Sequence, residues 1–534
     1  MTHVLIVGGG PVGLAAAIEL GSRRVPCTLV EQGDGQVVEA KMFATGIRTV
    51  EFCRRWGIAA RVRDWGFPRD FPFDNVFVTT LTGYELARIA MPSLAATPPI
   101  PQSPENFAHC PQFIFDPILA ERAKSFASVT LRYRTRLVSF TERADGVECV
   151  LEHAGKSETL KARYLVACDG FSSGVRQALG IEMQGDAMLN RSVNIMFRTN
   201  ALSALHDKGN AGRYVVIGSE GPWASLTAAD GVERWRLMVY QHGEFDPADA
   251  VRRAVGRDFP FEILTVGVWV RRNMVAERYG SKRVFLAGDA VHVMPPNGGL
   301  GMNTGIGDAV DLGWKLAAVH EGWGGEHLLE SYEPERRPTG QRACAEAMRN
   351  FERITPRRTF AAIHDDSPAG RQLRAELGAK LAASMRNAWD NPLNTHLGYR
   401  YDASPICIAD GATPPEPEDS RLYAQSSHPG GRAPHAWLAD GRSTLDLFGR
   451  GFTLLEFASV AHSFSAEAQR RRMPLSVVRI DDPAIAALYE RQLVLVRPDG
   501  HVAWRGERAP LDAGAVLDRV RGAVQSTILE EEMS

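Results

Sequence analysis

A glycine cluster, Gly8-Gly9-Gly10-Pro11-Val12-Gly13, stands between the apolar run His3–Val7 and an Ala/Leu-rich amphipathic stretch. In a strand–turn–helix context each position has a task. Gly8 permits the tight turn, Gly10 lets the main chain approach a pyrophosphate, and Gly13 lets helix and strand pack closely; the helix start at Pro11 and Val12 attracts negative charge. Glu31 ends the next apolar run, Cys27–Val30, eighteen residues after Gly13, with Gln32 beside it. A carboxylate there can accept hydrogen bonds from an adenosine ribose. The plain alternative is a glycine turn with no ligand, and the motif by itself does not separate FAD from NAD.

Two further strand ends carry carboxylates. Arg163–Cys168 reads as a buried strand that delivers Asp169 and the flexible Gly170. Gly170-Phe171-Ser172-Ser173-Gly174 also matches the G-x-S-x-G of serine hydrolases, but no downstream acid and histidine signature accompanies it. The third segment, Arg283–Ala287, delivers Gly288-Asp289 and leads through Pro295-Pro296-Asn297-Gly298-Gly299 into a helix beginning Leu300-Gly301-Met302-Asn303. Asp289 is placed to hold ribityl or ribose hydroxyls. Gly288, Pro296, Gly299, Leu300, Gly301, Met302 and Asn303 let the backbone approach a flat ring, and the helix amino terminus favours negative charge on that ring when reduced. His292, a lone histidine, is expected to pack and hydrogen-bond near the turn, not to act as a base.

The elements that position these residues follow from patterning. The opening reads as βαβ, Arg191–Val270 as a mostly antiparallel sheet, and Asn303 to about Asn387 as helical; Phe452–Phe457, Leu475–Ile480 and Leu493–Val496 read as strands of a small α/β unit. With 534 residues, several structural units are expected. The predicted fold class is α/β, a Rossmann-like FAD-binding domain (1–73, 112–184 and 281–400) interleaved with a β-sheet substrate domain (74–111 and 185–280). A Pro/Gly-rich linker, 401–435, precedes a final domain, 436–534.

Sixty-one basic and 63 acidic residues give a net charge of −2, and the basic residues are scattered, so no nucleic-acid partner is expected. Seven scattered cysteines with no C-x-x-C predict neither disulfides nor a metal site. The absence of a signal-like segment or long apolar run predicts no membrane partner and a cytoplasmic location.

Taken together, the glycine motif, Cys168-Asp169-Gly170, Gly288-Asp289, Trp314-Lys315-Leu316-Ala317 and Ser331-Tyr332-Glu333-Pro334-Glu335-Arg336-Arg337-Pro338 resemble the single-component FAD-dependent aromatic hydroxylases. The similarity is to the phenol hydroxylase and hydroxyphenylpropionate hydroxylase branch, which includes polyketide-tailoring oxygenases. It implies FAD as cofactor, NADH or NADPH as transient reductant, and oxygen transfer from a C4a-hydroperoxyflavin to a small aromatic substrate, phenolic or polyketide-like. By position it implies that Lys41 and Gln112 line the cofactor and that Arg234 and Arg236, two apart on one strand face, stand near the ring as catalytic candidates. Arg236 replaces a tyrosine of the family and Phe43 replaces an aspartate. The resemblance further implies a thioredoxin-like carboxyl-terminal domain without redox activity, and a homodimer. Epoxidation, Baeyer–Villiger insertion and a non-catalytic FAD-binding regulator are the competing readings; a halogenase lacks its W-x-W-x-I-P segment here.

Overall fold

The computed structural model describes residues 2–37, 41–240, 245–354, 359–385, 393–415 and 422–524. Thr2–Val7 forms a strand whose last four residues are buried, and Pro11–Ser22 forms a helix with proline in its first turn, where the missing N–H costs nothing. That helix is buried from Gly13 to Gly21 and packs against a second long helix, Leu300–Glu321.

Five strands form a parallel layer in the order Val129–Arg132, Cys27–Val30, Thr2–Val7, Lys156–Ala167 and Val284–Leu286. Helices cover this layer, which is why its central strands are runs of Val, Ile and Leu with no polar alternation. Val147–His153 and Thr135–Glu142 extend it as antiparallel strands from the first half of Lys156–Ala167. The register pairs Val7 with Ala167 and Ala167 with Leu286. Gly8, Cys168 and Ala287, distant in sequence, therefore leave adjacent strands side by side at the carboxyl edge, where open α/β sheets bind ligands.

An eight-stranded sheet runs His292–Val293, Glu262–Ala276, Met183–Arg198, Arg234–Val239, Gly221–Ala228, Arg213–Gly218, Asn75–Val78 and Glu85–Ile89. It is antiparallel except where Arg213–Gly218 runs parallel to Asn75–Val78. Met183–Arg198 starts well before the apolar stretch near Ser192 that marks it in the sequence. Its polar first half is held by the ladder with Glu262–Ala276, so pairing sets its length and hydrophobicity does not. The helical stretch after Asn303 divides into Leu300–Glu321, Tyr332–Ile354 and Pro368–Met385; Asn387 lies outside the described residues.

The third sheet, Leu475–Arg479, Phe452–Glu456, Leu493–Val496 and Val502–Gly506, buries one apolar cluster together with Trp314, Ala318, Trp323 and Leu328 and a second of its own around Leu455, Tyr489 and Val494. Within 401–435, read above as a linker, Tyr401, Ile406, Ser427, Arg432 and His435 are buried; residues 416–421 lie outside the described set. Among the described residues no helix is long and apolar enough to cross a membrane, and no cluster of side chains is suited to a metal.

Candidate active site

The carboxyl edge of the parallel layer opens into one cavity of about 2340 Å³ that extends to the face of the eight-stranded sheet. A pocket for one drug-sized ligand is roughly 300–1,000 Å³, so this space admits a dinucleotide and a second molecule together.

The three motif glycines divide their tasks. Gly8 has φ +108°, and a Cβ there would lie 2.3 Å from the Cys168 carbonyl oxygen; a Cβ on Gly13 would lie 2.0 Å from that of Gly8. Both are close-packing positions, and Gly13 does not border the cavity. Gly10 does, and nothing lies within 4 Å of where its Cβ would stand. This is a cradle a side chain would fill. Pro11 and Val12 line the same edge. Glu31 is fixed at the cavity wall beside Gln32, its Oε2 accepting from the Gly9 N–H and its Oε1 from the Gly33 N–H, both at 2.7 Å.

Asp169 accepts from the Val175 N–H at 3.3 Å through Oδ2, while Oδ1 is buried with no protein partner. Burial raises its pKa. Ser173 beside it caps a short helix by accepting from the Arg176 N–H at 2.9 Å, and among the described residues no histidine or carboxylate hydrogen-bonds Ser172, so the hydrolase-like string has no triad. Asp289 projects from its turn toward the cavity. Its side chain faces open space, yet the surrounding protein raises its pKa, opposed by His292 and Lys41. Gly288 lies beneath this turn against Val12 and does not reach the cavity.

At the helix entry Gly298 and Gly299 adopt φ of +101° and +65°, the left-handed region that favours glycine. Pro296, Leu300, Gly301, Met302 and Asn303 line the cavity with them. The Asn303 amide is engaged by protein: Oδ1 accepts from the Gly46 N–H (2.8 Å) and Thr49 Oγ1 (2.7 Å), and Nδ2 donates to the Gly299 carbonyl (2.6 Å). It fastens the helix to the 46–49 segment. The Lys41 N–H donates to Gln112 Oε1 at 3.2 Å, and Gln112 Nε2 donates to Asp116 Oδ2 at 3.0 Å. The Asp116 carboxyl, buried behind Gln112, is pushed up to about 7 by burial.

On the sheet side the paired arginines separate. Arg236 is buried, lines the cavity, and holds its guanidinium 4.2 Å from the Phe43 ring centre. Arg234 lies 5.1 Å from the Phe113 ring and does not border the cavity. Two further arginines of this sheet that no sequence motif marks, Arg213 and Arg271, line the same space; the Arg271 guanidinium lies 5.3 Å from the Tyr240 ring centre and 5.8 Å from that of Phe351.

His292 is bonded as expected, Nε2 to Asp308 Oδ2 at 2.8 Å, and the same Oδ2 accepts from the Gly288 N–H at 3.0 Å. Asp308 itself was missed. Its signal was the placement of Asp308, Asp311 and Lys315 at intervals of three and four in an otherwise apolar helix.

Residues 1–347 match the family model described as FAD binding domain, and residues 426–524 match that of aromatic-ring hydroxylase, C-terminal. The chain belongs to the FAD-dependent aromatic-ring hydroxylases. This hydroxylase is 34% identical to the tetracenomycin B2 monooxygenase-dioxygenase of Streptomyces olivaceus, over 97% of each chain, and 32% identical to the 4-methyl-5-nitrocatechol 5-monooxygenase of a Burkholderia species, over 98% and 97%. Among solved structures it superposes on RebC soaked with chromopyrrolic acid and holding 7-carboxy-K252c (TM-score 0.90, 41% identity, 98% and 99% coverage). It also superposes on aklavinone-11 hydroxylase with FAD and aklavinone (TM-score 0.82, 30% identity, 97% and 98%). The hydroxylase is thus a flavin-dependent monooxygenase of the group that acts on aromatic and polyketide compounds. The unpartnered Asp169 oxygen and the open space at Gly10 fit FAD, which presents hydroxyl donors and a pyrophosphate.

Proposed function

We propose that this hydroxylase inserts oxygen into a polycyclic aromatic acid. Arg213, Arg236 and Arg271 on the sheet wall of the cavity, beside Phe43, Tyr240 and Phe351, are the observation that carries this reading. Guanidinium groups grip carboxylates through paired hydrogen bonds, and flat rings stack on aromatic side chains and on guanidinium planes. One ligand with both features matches both sets of residues. The acid and carboxy ligands named for RebC point the same way.

In this reading Gly8, Gly10, Pro11 and Val12 receive the pyrophosphate of FAD, Glu31 and Gln32 the adenosine ribose, and Asp169 and Asp289 hydroxyls nearer the flavin. Gly299 to Asn303 meet the ring, with Lys41 and Gln112 beside it. When bound, FAD supplies the redox chemistry, taking electrons from NADH or NADPH and activating oxygen. The chain orients the aromatic ring, excludes water from the shared cavity and holds the substrate's charge. Residues 1–73, 112–184 and 281–400 serve the cofactor, and 74–111 and 185–280 serve the substrate. Residues 436–534 form a thioredoxin-like domain, a reading supported by the βαβαββα order of the described elements from Phe452 to Val520. A homodimer in the cytoplasm completes the proposal.

The test is oxidation of NADH and NADPH, with product mass, across polycyclic acids and their methyl esters. Acid-stimulated turnover that yields a product one oxygen heavier is expected. Equal stimulation by the esters removes the carboxylate claim, and no stimulation by any aromatic removes the hydroxylation claim.

A further inference from the structure

We propose that Arg497, from the carboxyl-terminal unit, is a positioning residue for the Gly288–His292 turn of the flavin site, acting through a chain of buried ionic contacts. The inference rests on the assignment of that turn to FAD.

The chain is continuous. Arg497 Nη1 donates to Glu335 Oε1 (2.8 Å) and Nη2 to Glu335 Oε2 (2.9 Å), Asp311 Oδ1 (2.9 Å) and Asp499 Oδ2 (2.7 Å). Lys315 supplies the second cation, bonding Asp311 at 2.8 Å and Glu335 at 2.6 Å. The next residue on the same helix, Arg336, donates from Nε to Asp308 Oδ1 at 2.7 Å and from Nη1 to the Tyr401 hydroxyl at 3.2 Å; the Tyr401 ring lies 5.0 Å from the Arg497 guanidinium. Asp308 Oδ2 then accepts from the Gly288 N–H and bonds His292 Nε2, the two ends of the turn that carries Asp289. No member from Arg497 to His292 is more than 3% exposed, so water does not screen the contacts or replace a lost partner.

Burial opposes ionisation of Glu335, yet Arg497 and Lys315 hold its carboxyl down at about 2. Asp311 is pushed upward instead, by burial first and by the nearby Glu335 and Asp499 carboxylates in addition. The cluster therefore depends on Arg497 to keep Glu335 charged and in place. Because Glu335 and Arg336 are consecutive, a shift of one moves the other, and with it the acceptor for the Gly288 N–H. At metal sites, residues that orient the direct ligands change affinity by about 10–100-fold when lost, and a loss at the lower end of that range is expected here.

The experiment compares wild type with R497M and R497K, reading the FAD dissociation constant by flavin fluorescence and amide exchange of the 284–293 segment in apoprotein. R497M is expected to weaken FAD about tenfold or more and to speed exchange at Gly288–His292. R497K, which keeps the charge without the two-pronged geometry, falls between. A lowered melting temperature with FAD affinity and 284–293 exchange within about twofold of wild type overturns the proposal. If R497M does not fold, E335Q keeps the shape, removes one charge of the chain, and is read in the same way. D289A is run alongside: unchanged FAD affinity in that variant overturns the assignment of the turn to FAD, whatever Arg497 does.

Discussion

Replacing Asp116 with asparagine tests whether the carboxyl behind Gln112 is neutral in the folded protein. Burial raises its pKa from 3.8 to about 7, outweighing the lowering effects of the Gln112 hydrogen bond and the Lys41 charge. Each pKa unit is worth 1.36 kcal/mol, so the interval corresponds to about 4 kcal/mol. In the unfolded chain the group ionises near 3.8, whereas in the folded chain it stays protonated to about 7. The folded state thus binds the extra proton. Its advantage is complete below 3.8 and is lost as pH rises through about 7. Asparagine never ionises and still offers Gln112 Nε2 an oxygen in the place of Asp116 Oδ2. The assay is thermal unfolding of apoprotein, wild type and D116N, at pH 5 and pH 8. Raising the pH from 5 to 8 crosses about two of those units, so it is expected to cost wild type more than the variant, and D116N gains on wild type by as much as about 3 kcal/mol. An equal wild-type-to-variant difference at both pH values would refute the assignment.

G13A and G10A are expected to fail differently. The new methyl on Gly13 meets the Gly8 carbonyl oxygen at 2.0 Å and destabilises apoprotein by about 3 kcal/mol, whereas that on Gly10 enters open space and weakens FAD binding with the apoprotein melting temperature unchanged. Apoprotein melts and flavin absorbance separate the two. D289A is expected to lower flavin content after gel filtration; full retention ends its assigned role. R236M and R271M each remove a charged hydrogen-bond donor worth about 1.5–3 kcal/mol, raising KM for an acid substrate about 10–100-fold. Steady-state kinetics with the acid and its methyl ester check this, since only the acid should respond.

Legibility differed between the two halves of the cavity for a physical reason. The side proposed for the flavin is made of strand ends, and a strand end followed by glycine or a carboxylate is written contiguously, as at Gly8, Asp169 and Gly288-Asp289. Only their convergence needed the sheet, through the register of Val7, Ala167 and Leu286. The substrate side is made of single side chains on separate antiparallel strands, where a slip of one residue turns each to the opposite face. Arg213, Arg236 and Arg271 come from three strands whose alignment no local pattern states. Of Arg234 and Arg236 only Arg236 borders the cavity, because a shared strand face does not decide which of two side chains reaches it.

Arg497 shows the same limit in a stronger form. In Val496-Arg497-Pro498-Asp499-Gly500 it reads as part of a polar hairpin turn, where an arginine is ordinarily exposed. It is instead fully buried because its partners, Glu335 and Asp311, lie 162 and 186 residues earlier on two helices of another layer. Separated from those carboxylates, a buried guanidinium would be strongly unfavourable, and so would they without it. A carboxyl-terminal unit with no C-x-x-C therefore contributes to the hydroxylase through a counter-ion placed in the helices behind the Gly288–His292 turn, a contribution set by charge pairing across the fold and not by any motif of its own.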